Sequence, residues 1–132
     1  DTVKHADFLK DVIKELKRAQ VRVSVFVDPV EAMAEGAAKI GADRIELYTE
    51  PYASAYHKNR DAAVEDYVHA ARVAKQVGLG INAGHDLDLH NLKFLKQSIP
   101  YLDEVSIGHA LIADALYFGL ENTIQLYLRE LK

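Results

Sequence analysis

The sequence contains no cysteine among its 132 residues. This absence excludes a disulfide framework, thiolate catalysis and any zinc site built on cysteine, although it leaves the cellular compartment open. The sequence also lacks the uninterrupted apolar run of about 18 residues that a membrane-spanning helix needs, and its first residues do not have the layout of a signal peptide. We therefore expect a protein of the cytoplasm that makes no use of a membrane.

A strong charge imbalance is lacking as well. The formal net charge is -4, so we expect no nucleic-acid partner, although the lysines and arginines present suffice to bind one small phosphate. Hydrophobic residues make up 49% of the chain and charged residues 27%, which is typical of a globular protein with a buried core. Residues 1–132 are predicted to form a single domain.

Hydrophobic residues recur with two alternating periods along the chain. A period of two predicts four short strands, and a helical period predicts the segments between them. The first helix is expected over 8–18 and a long one over 61–77. The strands are expected near 21–27, 43–48, 79–83 and 103–107.

Capping residues and glycines predict where several helices begin and end. Asp28, followed by Pro29, predicts a capped helix that stops at Gly41. Asp88 predicts the cap of a later helix, and Gly119 predicts a break in the last helical segment. In that segment an apolar stripe is expected at Leu120, Ile124, Leu128 and Leu131.

Residues 49–60 show no clear period, and they are long for a strand-to-helix connection. We predict a lid or binding loop here, with simple mobility as the alternative. The side chains that would close over a substrate are Tyr52, Tyr56, Lys58 and Arg60.

The two faces of the predicted strands differ in character. One face is aliphatic, whereas the other carries small or polar residues such as Ser24, Glu46 and Asn82. A doubly wound sheet would be apolar on both faces. The asymmetry favours an α/β fold with parallel strands and helices on the outer face, a (βα)4 half of a (β/α)8 TIM barrel.

A half-barrel leaves strand edges and one sheet face uncovered, because a whole barrel has about 250 residues. Such surfaces favour association. We therefore predict a partner, either an N-terminal half-barrel or a second copy of this chain, and a homo-oligomer.

Two titratable residues stand out at or near strand ends. His85 follows Gly84 at the end of the third strand, and because imidazole as a group titrates near neutral pH, this residue is a candidate proton donor or acceptor. The alternative is a structural loop histidine. Glu46 points into the predicted barrel, where a structural salt bridge is the competing interpretation.

Gly108 and His109 stand where the fourth strand passes into a helix, and free backbone N–H groups at such a point bind phosphate. A glycine required by a tight turn is the alternative. A metal cluster is the least favoured interpretation, because the spacing of its members matches no strong zinc pattern: His85, Asp86, Asp88 and His90.

Four stretches carry a resemblance to a known family: Val23–Asp28, Gly41–Thr49, Gly78–His85 and Glu104–Ala110. Together they resemble, in order and over essentially the whole chain, the C-terminal half of the pyridoxine 5'-phosphate synthase family. The resemblance implies a (β/α)8 barrel that condenses 1-deoxy-D-xylulose 5-phosphate with 3-amino-2-oxopropyl phosphate. The products are pyridoxine 5'-phosphate, inorganic phosphate and water, and no metal or organic cofactor is implied.

The resemblance also implies roles for individual residues. His85 matches the family's proton donor, and Glu46 matches a carboxylate that stabilises the transition state. Gly108 and His109 match the site for the phosphate of the amino ketone, and Asp86 lines that site, more credibly through its backbone than its side chain. The family's remaining acid-base and sugar-phosphate groups belong to the first four strands.

The chain alone is therefore predicted to be catalytically incomplete. One alternative is a self-associating half-barrel fragment or engineered module without catalysis. Another is a different phosphosugar barrel enzyme such as an isomerase, which would not require Glu46 and His85 together.

Overall fold

The computed structural model describes all of residues 1–132. Four strands alternate with helices, as the hydrophobic periods predict. The strands are β1 (Ser24–Val27), β2 (Arg44–Tyr48), β3 (Gly80–Gly84) and β4 (Leu102–Ser106). The helices are α1 (Ala6–Arg18), α2 (Glu31–Lys39), α3 (Glu50–Gln76), α4 (Leu92–Ser98), α5 (His109–Phe118) and α6 (Leu120–Glu130).

The strands form one parallel sheet in the order β1-β2-β3-β4. Because the order follows the chain without reversal and crossovers between parallel strands are right-handed, the connecting helices lie on one face of the sheet. The predicted α/β fold, half of a TIM barrel, is confirmed. The largest error in strand position is at β1, which begins at Ser24 and not at residue 21.

The core lies between the sheet and its helices, where 24 buried residues form one cluster. Ile45 and Leu47 of β2 point into it and are fully buried. On the opposite face of the sheet, Phe26 is 52% exposed. The predicted difference between an aliphatic outer face and a barrel-interior face is therefore confirmed.

Three glycines end helices in the left-handed region that a residue with a Cβ disfavours. Gly41 has φ +86° after α2, and Gly78 has φ +82° after α3. Gly119, with φ +77°, separates α5 from α6. These predicted helix ends are confirmed.

The aspartate cap predicted at Asp28 is wrong. The N-cap of α2 is Val30, because the carbonyl of Asp28 accepts the Val30 N–H at 2.8 Å and forms a tight turn ahead of the helix. α4 begins only at Leu92. The Asp88 carboxylate accepts the backbone N–H groups of His90 (2.8 Å) and Asn91 (3.0 Å), and its carbonyl accepts that of Leu92 at 3.0 Å. These are the hydrogen bonds of an N-cap, so Asp88 caps the turn that leads into α4.

The lid predicted over residues 49–60 is also wrong, because most of this segment is the first part of α3. Asn59, with φ -160° and ψ 92°, makes a kink between this part and the remainder of the helix. Proline at one of the first two positions of α3 is compatible with a helix start, since its missing N–H has no partner there in any case.

The aromatic residues of this first part pack into the protein. Tyr52 is fully buried, and its hydroxyl donates a hydrogen bond of 2.6 Å to the carbonyl of Asn91. Burial raises the pKa of Tyr52 above its ordinary value. The ring of Tyr56 contacts those of Tyr52 and Phe94, at centroid distances of 5.5 and 6.0 Å. These side chains attach α3 to α4.

The apolar stripe predicted on the last helix exists, but most of it faces outward. Leu120, Ile124 and Leu128 are 55%, 40% and 46% exposed. The buried face of α6 is formed by Thr123 and Tyr127. No helix of the chain has both the length and the apolar character required to cross a membrane.

Candidate functional site

An open cleft of about 760 Å³ lies at the carboxyl ends of β2, β3 and β4, on the barrel-interior side of the sheet. Enzymes built on this fold carry their active sites at this end of the strands. We call it the candidate cleft. All five site residues predicted from the sequence line it: Glu46, His85, Asp86, Gly108 and His109.

Glu46 reaches the candidate cleft from the middle of β2, where it is paired in register with Asn82 of β3. Its carboxylate lies against Gly84, so closely that a Cβ at Gly84 would be 2.5 Å from Glu46 Oε1. The absence of a side chain at Gly84 therefore makes the space that the carboxylate occupies. This role of Gly84 was not predicted from the sequence.

Arg44, the positively charged residue of the same strand, makes its polar contacts with residues other than Glu46. Arg44 donates to Asn82 Oδ1 at 3.1 Å and pairs with Asp103 at 3.0 Å and Glu104 at 4.0 Å. This arginine thus serves the opposite end of the strands from the candidate cleft. The interpretation of Glu46 as the anion of a barrel salt bridge receives no support from these contacts.

His85 directly follows β3 and has an unusual backbone conformation. Its φ is +94°, and that of Asp86 is +57°. The imidazole Nδ1 lies 3.2 Å from Asp86 Oδ2, and the imidazole and the Tyr48 ring pack edge to face at a centroid distance of 5.1 Å. A carboxylate on one ring nitrogen orients an imidazole and leaves the other nitrogen for a reacting group.

Gly108 and His109 form the start of α5, and no side chain caps this helix. Its first N–H groups are therefore available to an anion, as at many phosphate sites. Gly108 has φ -108°, so a tight turn does not require glycine here. A Cβ at Gly108 would meet no atom within 4 Å, which means that it would project into open space.

The candidate cleft also contains residues that the sequence did not single out. Phe26 forms part of its wall, and its ring lies 5.4 Å from that of Tyr48. Ser106, the last residue of β4, lines the cleft beside Gly84. Both alternate along their strands with buried or half-buried aliphatic residues, so the period of two was the signal that could have found them.

Of the other residues considered for function, Asp88 lines the candidate cleft and the remainder are absent from its lining. No group of three or more histidine, aspartate or glutamate side chains is arranged to hold a metal ion. The residues predicted as a lid are absent from the cleft lining. Arg60 instead places its guanidinium 4.6 Å from the centre of the Phe94 ring, which fixes it against α4.

A charged network lies on the barrel-interior face below the candidate cleft. Arg22 binds Glu104 through two hydrogen bonds, of 2.9 and 3.0 Å, and Asn82 Nδ2 donates to the same carboxylate at 3.0 Å. The hydrogen bond from Arg22 holds the pKa of Glu104 below its usual range. These groups are already paired with one another, so we assign them no chemistry.

Comparison with known proteins adds independent information. A family model described as "Pyridoxal phosphate biosynthesis protein PdxJ" matches residues 1–132. Curated relatives named pyridoxine 5'-phosphate synthase include those of Cytophaga hutchinsonii (70% identical), Christiangramia forsetii (60%) and Flavobacterium johnsoniae (56%). Each alignment covers 132 residues, which is 100% of this chain. The chain spans 56% of the length of these relatives.

Proposed function

Because the chain belongs to the family of the pyridoxal phosphate biosynthesis protein PdxJ, we propose that it is the C-terminal part of a pyridoxine 5'-phosphate synthase. The proposed reaction condenses 1-deoxy-D-xylulose 5-phosphate with 3-amino-2-oxopropyl phosphate to give pyridoxine 5'-phosphate, phosphate and water. The observation that carries the proposal is the gathering of five predicted site residues in one cleft at the carboxyl ends of the strands.

His85 is proposed as the proton donor. A ring closure that releases water and phosphate requires protons for its leaving groups, and imidazole supplies them near neutral pH. The carboxylate of Asp86, 3.2 Å from Nδ1, would orient the ring. The second ring nitrogen would then face the substrate.

Glu46 is proposed to stabilise the transition state. Condensation of an amino group with a carbonyl passes through cationic species, and a carboxylate held nearby lowers their energy relative to the uncharged reactants. The position of the Glu46 carboxylate over Gly84 is part of the strand framework and needs no mobile loop. This is the preorganisation that electrostatic catalysis requires.

Gly108, His109 and Asp86 are proposed to bind the phosphate of the amino ketone. The uncapped start of α5 supplies N–H donors, and the absence of a side chain at Gly108 lets the phosphate approach the backbone. At Asp86 the contact is proposed to come from the backbone, since its carboxylate is directed towards His85.

A second half-barrel is the proposed partner. β1 and β4 each have one unpaired edge. Phe8, Val12 and Leu16 of α1, at helical spacing, are 68%, 40% and 38% exposed, and the outward stripe of α6 is similarly uncovered. We propose that the segment by which the relatives are longer covers these surfaces and completes the barrel, and that the completed protein forms a homo-oligomer in the cytoplasm.

Activity measurements on three preparations test the proposal. The first is the 132-residue chain, and the second is the segment by which the relatives are longer. The third is the full-length protein, which contains both in one polypeptide. Intact mass would establish the purity of each. We expect synthesis of pyridoxine 5'-phosphate from both substrates only when both halves are present, without an added metal or cofactor. Robust turnover by the pure 132-residue chain would contradict the proposed incompleteness.

Two substitutions in the full-length protein address the roles of the site. Glu46→Gln and His85→Asn are nearly isosteric, so the fold should survive. His85→Asn is expected to lower kcat by a factor on the order of 100 to 10,000, the usual range for a lost acid-base group. Glu46→Gln is expected to lower kcat by a factor on the order of 100 to 1,000, the range for a lost electrostatic stabiliser. Full activity of both variants would contradict the roles proposed for Glu46 and His85.

A further inference from the structure

The turn that presents His85 is strained. His85 and Asp86 are consecutive residues with φ values of +94° and +57°. Residues with a Cβ seldom adopt this region, because the Cβ approaches backbone atoms. Such a conformation persists only where surrounding contacts outweigh its cost, so the contacts made by this turn are informative.

Thr49 makes the first of these contacts. It is fully buried at the N-terminal end of α3, directly after β2. A threonine in this position commonly accepts an N–H of its own helix, but no such bond is present. Its hydroxyl instead donates to the carbonyl of His85 at 2.5 Å, and its backbone N–H donates to the carbonyl of Gly84 at 3.0 Å.

Asn91 makes the second contact, from the turn before α4. It is 3% exposed, and its Nδ2 donates to the carbonyl of Asp86 at 3.2 Å. Its Oδ1 accepts the backbone N–H of Asp88 at 3.0 Å. The carbonyls of both left-handed residues are therefore held by buried side chains that directly precede two different helices, α3 and α4.

We propose that Thr49 and Asn91 are positioning residues that hold the left-handed turn and thereby aim the His85 imidazole into the candidate cleft. Neither side chain lines the cleft, so both act through the backbone of the turn. The inference rests on the proposed function, since it concerns the group that donates the proton. A displacement of about 1 Å at a reacting group costs on the order of 100-fold in rate.

The test uses Thr49→Val, Thr49→Ser and a matched control in the full-length protein. Valine has the shape of threonine without the hydroxyl. Thr123 is the control, because it is also fully buried and its hydroxyl donates, at 3.0 Å, to the carbonyl of Gly119, which has φ +77°. Thr123 belongs to α6 and is not part of the cleft lining.

Thr49→Val is expected to lower kcat roughly 10- to 100-fold while KM changes by less than about threefold. Thr49 holds the carbonyl of His85, whereas Asn91 still holds that of Asp86, whose backbone is proposed to contact the phosphate. Thr49→Ser should recover most of the lost rate, and Asn91→Leu should act in the same direction as Thr49→Val. Thr123→Val should keep the kcat of the unmodified protein.

An undiminished kcat in Thr49→Val, or an equal loss in Thr123→Val, would overturn the positioning role. An unmodified full-length protein that makes no pyridoxine 5'-phosphate would refute the proposed function instead. In that case crystal structures of the two valine variants decide the inference. Departure of His85 from positive φ only in Thr49→Val supports it, and an unchanged turn overturns it.

Discussion

Replacement of Gly84 by alanine is expected to displace the Glu46 carboxylate from the candidate cleft. The added Cβ would lie 2.5 Å from Glu46 Oε1 and 3.0 Å from the Cβ of Ser106. Ordinary van der Waals contact begins at 3.4 Å. The strand neighbours of Gly84 hold its backbone in place, so the carboxylate must retreat by roughly 1 Å.

The expected loss of rate is larger than the expected loss of stability. A misplacement of about 1 Å costs on the order of 100-fold in kcat. Overpacking of a well-packed site lowers the free energy of unfolding by about 1–3 kcal/mol. Because the displaced carboxylate is at the end of a flexible side chain, we expect a loss near the lower limit of this range for Gly84→Ala. For a domain of about 200 residues, 1 kcal/mol lowers the melting temperature by about 2–4 °C.

Gly80→Ala is the matched control for this experiment. Gly80 is on the same strand and the same face as Gly84, and a Cβ there would lie 2.8 Å from Cγ of Arg44, away from the candidate cleft. Both variants insert one methyl group against a long side chain. Steady-state kinetics of the full-length protein should therefore show a loss of kcat in Gly84→Ala alone.

Thermal unfolding should show similar stability losses in the two variants. A folded Gly84→Ala protein with undiminished kcat would refute the reasoning, because the Glu46 position would then not matter for the reaction. An equal loss of kcat in Gly80→Ala would refute it as well, because the effect would not depend on the cleft.

Three further predictions concern single contacts. Gly108→Ala should raise KM for the amino-ketone phosphate about tenfold without changing the melting temperature, because the added methyl group meets only open space; an unchanged KM would contradict the phosphate site. The backbone N–H of Val23 and a nearby lysine hold the pKa of Asp43 below its usual 3.8. A lowered pKa stabilises the fold above the unfolded-state pKa and stops doing so as the pH falls through the folded-state value. Asp43→Asn should therefore lower the free energy of unfolding by less than about 1 kcal/mol at neutral pH, since the carboxylate is partly exposed, and the difference in urea unfolding should shrink with acidification. Tyr127→Phe removes a hydrogen bond of 2.8 Å to Asp114 and should cost about 1 kcal/mol in urea unfolding without lowering kcat; a loss of kcat would show that the pairing of α5 with α6 affects the cleft.

The alternation of strands and helices was predictable because its causes are local. Ile45 and Leu47 alternate with polar residues, so one face of β2 had to be buried wherever the strand was placed. Gly41 and Gly78 end helices through backbone freedom that belongs to the residue itself. Such signals do not depend on distant parts of the chain.

The helical conformation of residues 50–58 was missed because its stabilising contacts are distant in sequence. Tyr52 and Tyr56 pack against residues of the second part of α3 and of α4, so the segment shows no amphipathic period of its own. The aspartate cap predicted at Asp28 failed for a local reason. Its backbone carbonyl accepts the N–H of Val30 in a tight turn, so α2 begins later than the capping pattern indicates.

The sequence by itself determined the order of the elements, the aliphatic outer face and the chemical groups of the candidate cleft, because residue type and spacing carry that information. Only the tertiary structure decided how those groups are held. Three features of the site depend on contacts between different parts of the chain. They are the left-handed turn at His85, the hydrogen bond from Thr49 to that turn, and the space over Gly84 that the Glu46 carboxylate occupies. Their energies depend on distances between elements, which no local pattern contains.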